Sequence, residues 1–541
     1  MICEVIVDIA HSDVDKIFDY ACDFPVEAGT RVAVPFGRSA ATGFVMRVKD
    51  SSDYPAEKLK KIYRAEEDFP ALNAECLALA HTIAARYRVP MALVLRLFLP
   101  AEMRTGKVGE TYRTFARLVS DMPPAKNAPQ QAACLAFLKE NGEADAAILR
   151  KMFGAAVNAL VKKGAVALER RRVLRDPYRG VEGEYRPRAL TPAQSAAVTR
   201  VGETQKTVVL LHGVTGSGKT EIYLTLIAQA LERGQTALFL VPEISLTPQM
   251  LSQLRARSGS AAAILHSGLS AGERFDEWHR LREGTARIAI GARSAIFAPV
   301  ENVGVIVIDE EHDGSYLSES SPRYNTLDVA CLRAEYNGCK LVLGSATPSV
   351  ETYRRAKEGE FELITLPDRI NARPLPDVRI VDMRREVRRG NASPFSVALR
   401  EGVENCLREG QQAILFLNRR GFAQTVLCRD CGYVAKCEHC DVALTYHSEE
   451  NCLKCHYCGT RYKMLTACPE CGSAHIYYAG TGTQRVVGEL KKLYPSARIL
   501  RMDNDTTSGK EGHYRILKKF ADREADILVG TQMVAKGHDF P

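Results

Sequence analysis

A stretch of small residues at the end of an apolar run carries the first chemistry in this sequence. Thr207–Leu211 is β-prone and apolar, and Gly213–Thr220 reads G-V-T-G-S-G-K-T, a full match to G-x-x-x-x-G-K-[ST]. Gly213, Gly216 and Gly218 let backbone N–H groups close around phosphate oxygens. Glu221–Arg233 has helical spacing, and a helix starting here adds its dipole to an anion site. In such a loop Lys219 reaches the β- and γ-phosphates of ATP and the Thr220 hydroxyl ligates Mg²⁺. A second apolar strand, Val305–Ile308, ends in Asp309–Glu310–Glu311–His312. Asp309 is placed to hold Mg²⁺ through water, and Glu310 to orient and deprotonate an attacking water. Gln194, in Leu190–Thr191–Pro192–Ala193–Gln194, stands upstream of the phosphate loop, where its amide can read an adenine edge.

A different chemistry lies downstream. Nine of the 16 cysteines fall between Cys428 and Cys471. Eight form four C-x₂-C pairs: Cys428/Cys431, Cys437/Cys440, Cys455/Cys458 and Cys468/Cys471. Each pair puts two sulfurs on one tight turn, and eight thiolates fit two tetrahedral Cys₄ sites, hence two Zn²⁺. Spacing alone leaves three ways to combine the pairs. A nested arrangement, outer pairs together and inner pairs together, suits an insertion whose ends must meet. Cys452 is a ninth cysteine outside the pattern.

The elements that position these groups follow from patterning. At 541 residues, 46% hydrophobic and 26% charged, the chain is globular with several domains. Residues 1–105 show short β-rich runs (Val5–Ile9, Thr30–Val34, Gly43–Val48) and then a helical pattern over Ala74–Tyr87. Over 106–180, helical spacing at Gln130–Glu140, Ala144–Met152 and Ala155–Lys163 precedes a basic strand, Ala165–Val173, which is the layout of a winged helix. Eleven Lys/Arg against five Asp/Glu between Asp145 and Ala189 make a patch suited to phosphate backbones, although such runs are more often solvated faces. Arg175–Pro187 reads as a linker. From 190 to 370, strands alternate with helices, which predicts a parallel, helix-covered sheet. A second such unit spans 390–424 and 476–541, with the cysteine module inserted at 425–475. No stretch approaches eighteen apolar residues, so no membrane partner is expected. Cysteines without a secretion signal indicate a reducing compartment, the cytoplasm.

Further polar segments end strands: Val241–Thr247, His266–Gly268, Gly291–Ala295, Gly344–Pro348, Asn418–Gly421 and Gly530–His538. With the phosphate loop and Asp309–His312, their order resembles the helicases of superfamily 2, from Leu190 to Pro541. That resemblance implies an α/β fold with two RecA-like lobes, the second incomplete in this sequence, that sandwich ATP while a nucleic-acid strand crosses both. It implies that Lys219, Thr220, Asp309 and Glu310 bind and hydrolyse MgATP. It further implies that Ser345 and Thr347 transmit the nucleotide state, and that loops around Arg293 and Thr531 touch DNA phosphates.

The zinc module and the N-terminal segments Phe18–Tyr20, Arg31–Arg38 and Thr42–Val45 narrow the likeness to the primosomal replication-restart helicases. Membership would make residues 1–105 a DNA 3′-end-binding domain, with Phe18, Asp19, Gly37 and Lys60 around a nascent strand's 3′ terminus. It implies a 3′→5′ DNA helicase acting on forked and single-stranded DNA. The implied protein partners are primosome proteins, single-stranded-DNA-binding protein and the replicative helicase loader. Tyr316 and Tyr324 stand where that family has an aromatic-rich coupling loop. No G-R-A-G-R string occurs before Pro541. The family's arginine-finger motif contains that string, so weak ATP hydrolysis is expected of this sequence by itself. Two other classes remain open at this stage: a double-strand DNA translocase, and a DNA-bound scaffold recruiting partners through the zinc module.

Overall fold

In the computed structural model the described residues are 1–106, 108–120, 127–175, 189–242, 261–370, 374, 376–391, 393–418, 425–447, 452–455, 457–479, 483–503, 512–531 and 534. Within the motifs quoted above, residues 243–247, 419–421, 532–533 and 535–538 lie outside them, as does the expected linker beyond Arg175. The chain divides into two units, Met1–Ala372 and Arg373–Pro541.

Alternating polar and apolar residues at the N-terminus form five strands: β1 (Ile2–Val7), β2 (Ile17–Ala21), β3 (Arg31–Phe36), β4 (Ser39–Lys49) and β5 (Arg64–Ala65). They pair antiparallel in the order β2-β1-β4-β3-β5. The sheet encloses a small core of Cys3, Val5, Val7, Tyr20, Val32, Val34 and Val45. The helix Ala74–Tyr87 follows, capped by Asn73, whose side chain accepts from the Cys76 amide. Next, β6 (Tyr112–Leu118), β7 (Glu143–Asp145) and β8 (Val166–Arg172) form a three-stranded antiparallel sheet. Helices Pro129–Asn141, Ala146–Phe153 and Ala156–Lys162 pack beside it around Cys134, Leu138, Leu149 and Leu160. The three helices and the basic strand match the sequence pattern. β6 is additional, because four of its seven residues, Arg113, Thr114, Ala116 and Arg117, are polar or alanine and leave no apolar alternation signal.

The centre of the first unit is a seven-stranded, all-parallel sheet. Its strands are β9 (Val208–Gly213), β10 (Thr236–Leu240), β11 (Ala262–Leu265), β12 (Ile288–Gly291), β13 (Val303–Asp309), β14 (Lys340–Ser345) and β15 (Glu362–Leu366). The order is β11-β12-β10-β13-β14-β9-β15. Its strands read as near-continuous apolar runs because helices cover both faces. In the second unit, β16 (Ala413–Phe416), β22 (Ile499–Met502) and β23 (Ile527–Gly530) make a parallel sheet in the order β16-β23-β22. The inserted module contributes β17 (Thr425–Cys428), β18 (Thr445–His447), β19 (Cys452–Lys454), β20 (Arg461–Tyr462) and β21 (Ile476–Ala479), ordered β20-β19-β18-β17-β21. This is an α/β architecture with an inserted cysteine module. No described helix is long and apolar enough to cross a membrane.

The N-terminal segment and the seven-stranded sheet share one core. Leu79, Ile83, Leu95 and Phe98 pack in the same cluster as Leu210, Ile306 and Leu343. A buried charge seals this junction. Arg333, fully buried, donates from Nε to Glu75 Oε1 at 2.6 Å and from Nη1 to the Ile296 carbonyl at 2.6 Å. Its Nη2 reaches the Val300 carbonyl at 3.2 Å, and Asn337 donates to the same Glu75 carboxylate at 2.8 Å. Removing one partner of such a pair strands the other charge in the core. Arg333→Met is therefore expected to lower unfolding free energy by about 3–5 kcal/mol. Urea melts would show this as an earlier midpoint at unchanged slope, and a midpoint within error of the parent would refute it.

Candidate nucleotide site and zinc centres

The parallel sheet delivers both acidic and basic groups to one edge. β9 ends at Gly213, and the helix Lys219–Glu232 begins after Gly218, whose left-handed φ of 77° suits glycine. A Cβ on Gly218 would stand 2.3 Å from Gln194 Nε2, so the tight turn also requires the missing side chain. Lys219 Nζ donates to the Gly213 carbonyl at 2.8 Å, curled along the loop that it would leave for a phosphate. The Ser217 hydroxyl is buried with no partner among the described residues, and Thr215 and Gly216 face solvent. A cradle of amides with an orphaned hydroxyl fits the phosphates of a nucleotide.

Gln194 is 3% exposed, and its amide is committed at both ends. Oε1 accepts from the Thr191 amide at 2.9 Å, and Nε2 donates to the Ser217 carbonyl at 3.0 Å. With Thr191 Oγ1 accepting from the Gln194 amide, this is a capping box whose glutamine also props the phosphate loop. Here Gln194 shapes the loop through both ends of its amide.

Asp309 terminates β13 under cover. Burial, then the neighbouring Glu310 charge, push its carboxyl up to about 6, against the opposing pull of Lys219 and the Tyr223 hydroxyl. Tyr223 donates to Asp309 Oδ1 at 3.0 Å, and Tyr316 donates to the Asp309 carbonyl at 2.7 Å. Glu310 adopts φ 48°, a left-handed conformation that costs a non-glycine residue and turns its side chain off the strand. His312 Nδ1 lies 2.8 Å from Ser345 Oγ, which accepts from the Thr347 amide at 3.0 Å. A continuous polar chain thus links Asp309–His312 to Ser345 and Thr347 at the end of β14. Glu311, which sequence reasoning passed over, accepts from the Ser349 amide at 2.7 Å and from Thr352 Oγ1 at 3.0 Å. It anchors the start of helix Val350–Lys357.

A raised carboxyl has a stability consequence. The folded state holds the Asp309 proton more tightly than the unfolded chain, so its ionisation costs stability as pH rises from about 4 to about 6 and stays lost above. Asp309→Asn removes that cost while keeping an acceptor for Tyr223. It is expected to raise unfolding free energy at pH 8 by up to about 3 kcal/mol, while removing the carboxylate a metal needs. Melts at pH 8 and pH 4 test this: the gain should shrink at pH 4, and equal values at both would refute it.

The residues expected at DNA are placed as follows. Phe18 and Asp19 are adjacent on β2 and point to opposite faces. Phe18 packs edge-on against Phe36 at 5.4 Å, beside the Gly37 turn, where φ is 58°. Asp19 instead pairs with Lys49 at 2.9 Å and accepts from Ser52. Burial raises its carboxyl, but Lys49 and Ser52 outweigh this and hold it below the usual range. Lys60 is exposed, and its carbonyl accepts from the Ala21 amide at 2.9 Å. Phe18 and Gly37 therefore share an end of the sheet, and Lys60 borders β2, but the Asp19 side chain faces elsewhere. Arg293 is half-buried, donates to the Leu317 carbonyl and lies 6.0 Å from the Tyr324 ring. Tyr316 and Tyr324 are each 4% exposed, so they are core residues and not a stacking surface. Thr531 follows β23 in the second unit and is half-buried. The basic strand β8 is largely neutralised: Arg171 pairs with Glu143 and Glu169, and Arg172 with Glu110 and Glu283.

The cysteines form two quartets, Cys428/Cys431/Cys468/Cys471 and Cys437/Cys440/Cys455/Cys458, with all four sulfurs of each within 4.8 Å of one another. Cys428–Cys471, Cys431–Cys468 and Cys437–Cys458 sulfurs are 3.6, 3.5 and 3.6 Å apart. Tetrahedral thiolates at a Zn–S distance of about 2.3 Å stand about 3.8 Å apart, so the quartets fit zinc. Each knuckle closes by the same backbone bond, from Gly432, Asp441, Gly459 and Gly472 amides to the carbonyls of Cys428, Cys437, Cys455 and Cys468. All four of these residues are left-handed, and Asp441 is the one that is not glycine. The pairing is the nested one, because β17 and β21 pair antiparallel with Cys428 opposite Ile476 and so bring the ends of the insertion together. Cys452 opens β19 outside both quartets.

A parallel sheet with a phosphate loop and an acid pair at its C-terminal edge is the geometry of a nucleotide-binding domain, and residues 191–356 match the DEAD/DEAH box helicase model, which makes the class helicase. Residues 4–100 match the PriA 3′DNA-binding domain (3′BD), and 437–462 the PriA DNA helicase Cys-rich region. The Replication restart protein PriA of Bacillus subtilis (strain 168) is 42% identical, over 99% of this chain and 77% of its own length. That of Haemophilus influenzae is 35% identical over 97% of this chain and 74% of its own length, and that of Synechocystis 44% identical over 77% and 52%. The chain belongs to the replication restart protein PriA family of DNA helicases.

Proposed function

We propose that this chain carries an ATP-driven 3′→5′ DNA helicase that recognises stalled or repaired replication forks and initiates primosome assembly. The observation that supports it most is the convergence of Lys219 and Asp309 at one sheet edge, close enough for the lysine's charge to pull the Asp309 carboxyl down. Bound MgATP would supply the phosphoryl bond whose hydrolysis drives movement. The P-loop amides and Lys219 hold its phosphates, and Thr220 and Asp309 hold Mg²⁺. Glu310 orients the attacking water and takes its proton. His312, Ser345 and Thr347 carry the state of the site to the neighbouring strand end.

Phe18, Asp19, Gly37 and Lys60 receive a nascent strand's 3′ terminus, Asp19 through its backbone since its side chain is turned away. Arg293 and Thr531 contact strand phosphates once Arg293 releases the Leu317 carbonyl. Two Zn²⁺ shape the inserted module, one in each quartet. The partners are forked and single-stranded DNA, primosome proteins, single-stranded-DNA-binding protein and the replicative helicase loader. In support stand the 3′BD and Cys-rich matches on one chain with the helicase domain.

Forked duplexes with and without a nascent leading-strand 3′ end test the reading. Binding is expected to be tighter with the free 3′ end, and unwinding to start from 3′-tailed and not 5′-tailed strands. Equal binding to both forks would refute end recognition, and unwinding from 5′ tails would refute the polarity.

A further inference from the structure

The helix after the phosphate loop holds a residue that no motif predicts. Tyr223 lies one turn beyond Lys219, is fully buried, and packs its ring against Phe239 with centroids 5.8 Å apart. Its hydroxyl spans from this helix to the sheet and donates to Asp309 Oδ1 at 3.0 Å. The space it occupies is made by a glycine. Asp309 on β13 and Gly344 on β14 are direct register partners in the parallel sheet. Residues paired in this way project to the same face. A Cβ on Gly344 would lie 1.5 Å from the Tyr223 hydroxyl oxygen and 2.6 Å from Cζ. The missing side chain at Gly344 is thus the hole through which the hydroxyl reaches the carboxylate.

We infer that Tyr223 is a positioning residue for Asp309, fixing which oxygen of the carboxylate is offered to a divalent cation, and that Gly344 is glycine to admit it. This rests on the nucleotide-site reading above. The hydroxyl occupies Oδ1 and makes no bond to Oδ2. The carboxylate is also faced by the Lys219 charge and by Glu310, whose backbone N–H donates to it, while Tyr316 donates to the Asp309 main-chain carbonyl, so Tyr223 is the side-chain donor that sets its orientation. The arrangement ties three segments together: the phosphate-loop helix, the acid strand end and the Gly344–Thr347 segment. A shift of any one changes how Asp309 meets the metal.

The test is a Mg²⁺ titration of binding of a fluorescent, non-hydrolysable ATP analogue to the 541-residue chain and its variants. For Tyr223→Phe, the Mg²⁺ concentration at half-saturation is expected to rise roughly 10-fold, the usual cost of losing a partner that orients a metal ligand. Analogue binding in EDTA should stay within about twofold, since the loop amides and Lys219 are untouched. Gly344→Ala should reproduce the Mg²⁺ defect, and adding it to Tyr223→Phe should cost less than it does alone, because the 1.5 Å approach to the hydroxyl is gone while the 2.6 Å approach to Cζ remains. If Gly344→Ala fails to fold, Tyr223→Phe still decides. A Tyr223→Phe chain with altered melting temperature but unchanged Mg²⁺ half-saturation would overturn the inference and leave the hydroxyl a satisfied core group. A parent chain showing no Mg²⁺-dependent analogue binding would instead overturn the nucleotide-site reading.

Discussion

Lys219→Ala is expected to abolish DNA-stimulated ATP hydrolysis while leaving the fold intact. In the structure the ammonium touches only the Gly213 carbonyl of its own loop, at 2.8 Å, and that bond is easily replaced by water. Its removal should cost little stability. The catalytic loss is different in kind. A preorganised cation aimed at the transferring phosphoryl group is worth about 10²–10³-fold in turnover, about 2.7–4 kcal/mol, when a single donor is deleted. The lysine also pulls the Asp309 carboxyl down against burial and Glu310, so its loss leaves that acid more often protonated and weakens the metal site as well. Phosphate release with and without single-stranded DNA, alongside a melting curve, checks both halves. Hydrolysis at the parent rate would remove Gly213–Thr220 as the nucleotide site.

Zinc removal should have the largest structural effect. Among the described residues the inserted module has a hydrophobic cluster of six buried residues, two of them cysteine ligands, and short strands such as β18, β19 and β20. Such a module has too little apolar surface to fold alone. Structural zinc contributes roughly 10–16 kcal/mol of apparent binding free energy per site at neutral pH. A strong chelator is therefore expected to unfold residues 425–479 while the parallel sheets persist, visible as amide exchange confined to the module. Metal analysis should find about two Zn²⁺ per chain, falling to about one in Cys428→Ser and to about one in Cys437→Ser, because the quartets share no ligand. Loss of both ions from either variant would show that the pairing is not two independent sites.

What could be read directly from the residues follows a physical rule. The phosphate loop and the C-x₂-C pairs are legible because the chemistry itself dictates their spacing. Six of the seven strands of the parallel sheet are legible because they are near-continuous apolar runs. The helix at Ala74–Tyr87 is legible to the residue, since Asn73 caps it and Arg88, left-handed, ends it. β15 escapes, because Glu362 and Thr365 break its apolar pattern and Glu362 is paired with Arg200 only in three dimensions. Tyr223 escapes for a stronger reason. Its contact depends on the register of β13 against β14, which no local pattern encodes. Gln194 carries a role its position does not announce: the capping box that places it also turns its amide against the phosphate loop. Cysteine spacing leaves the pairing open until β17 meets β21.

The buried Arg333–Glu75 bond bears on how freely this chain can be recombined. Family models divide it into an end-binding domain ending at residue 100 and a helicase domain starting at 191. The covalent boundary suggests that the first could be exchanged for a homologue's. Glu75 belongs to the first and Arg333 to the second, and the guanidinium also grips the Ile296 and Val300 carbonyls. A chimera that brings a neutral residue to position 75 would leave a cation in the dry interior, beside the turn that carries Arg293. A transplant therefore succeeds only when the acid travels with it, and the unit of inheritance here is the pair of positions rather than the matched segment.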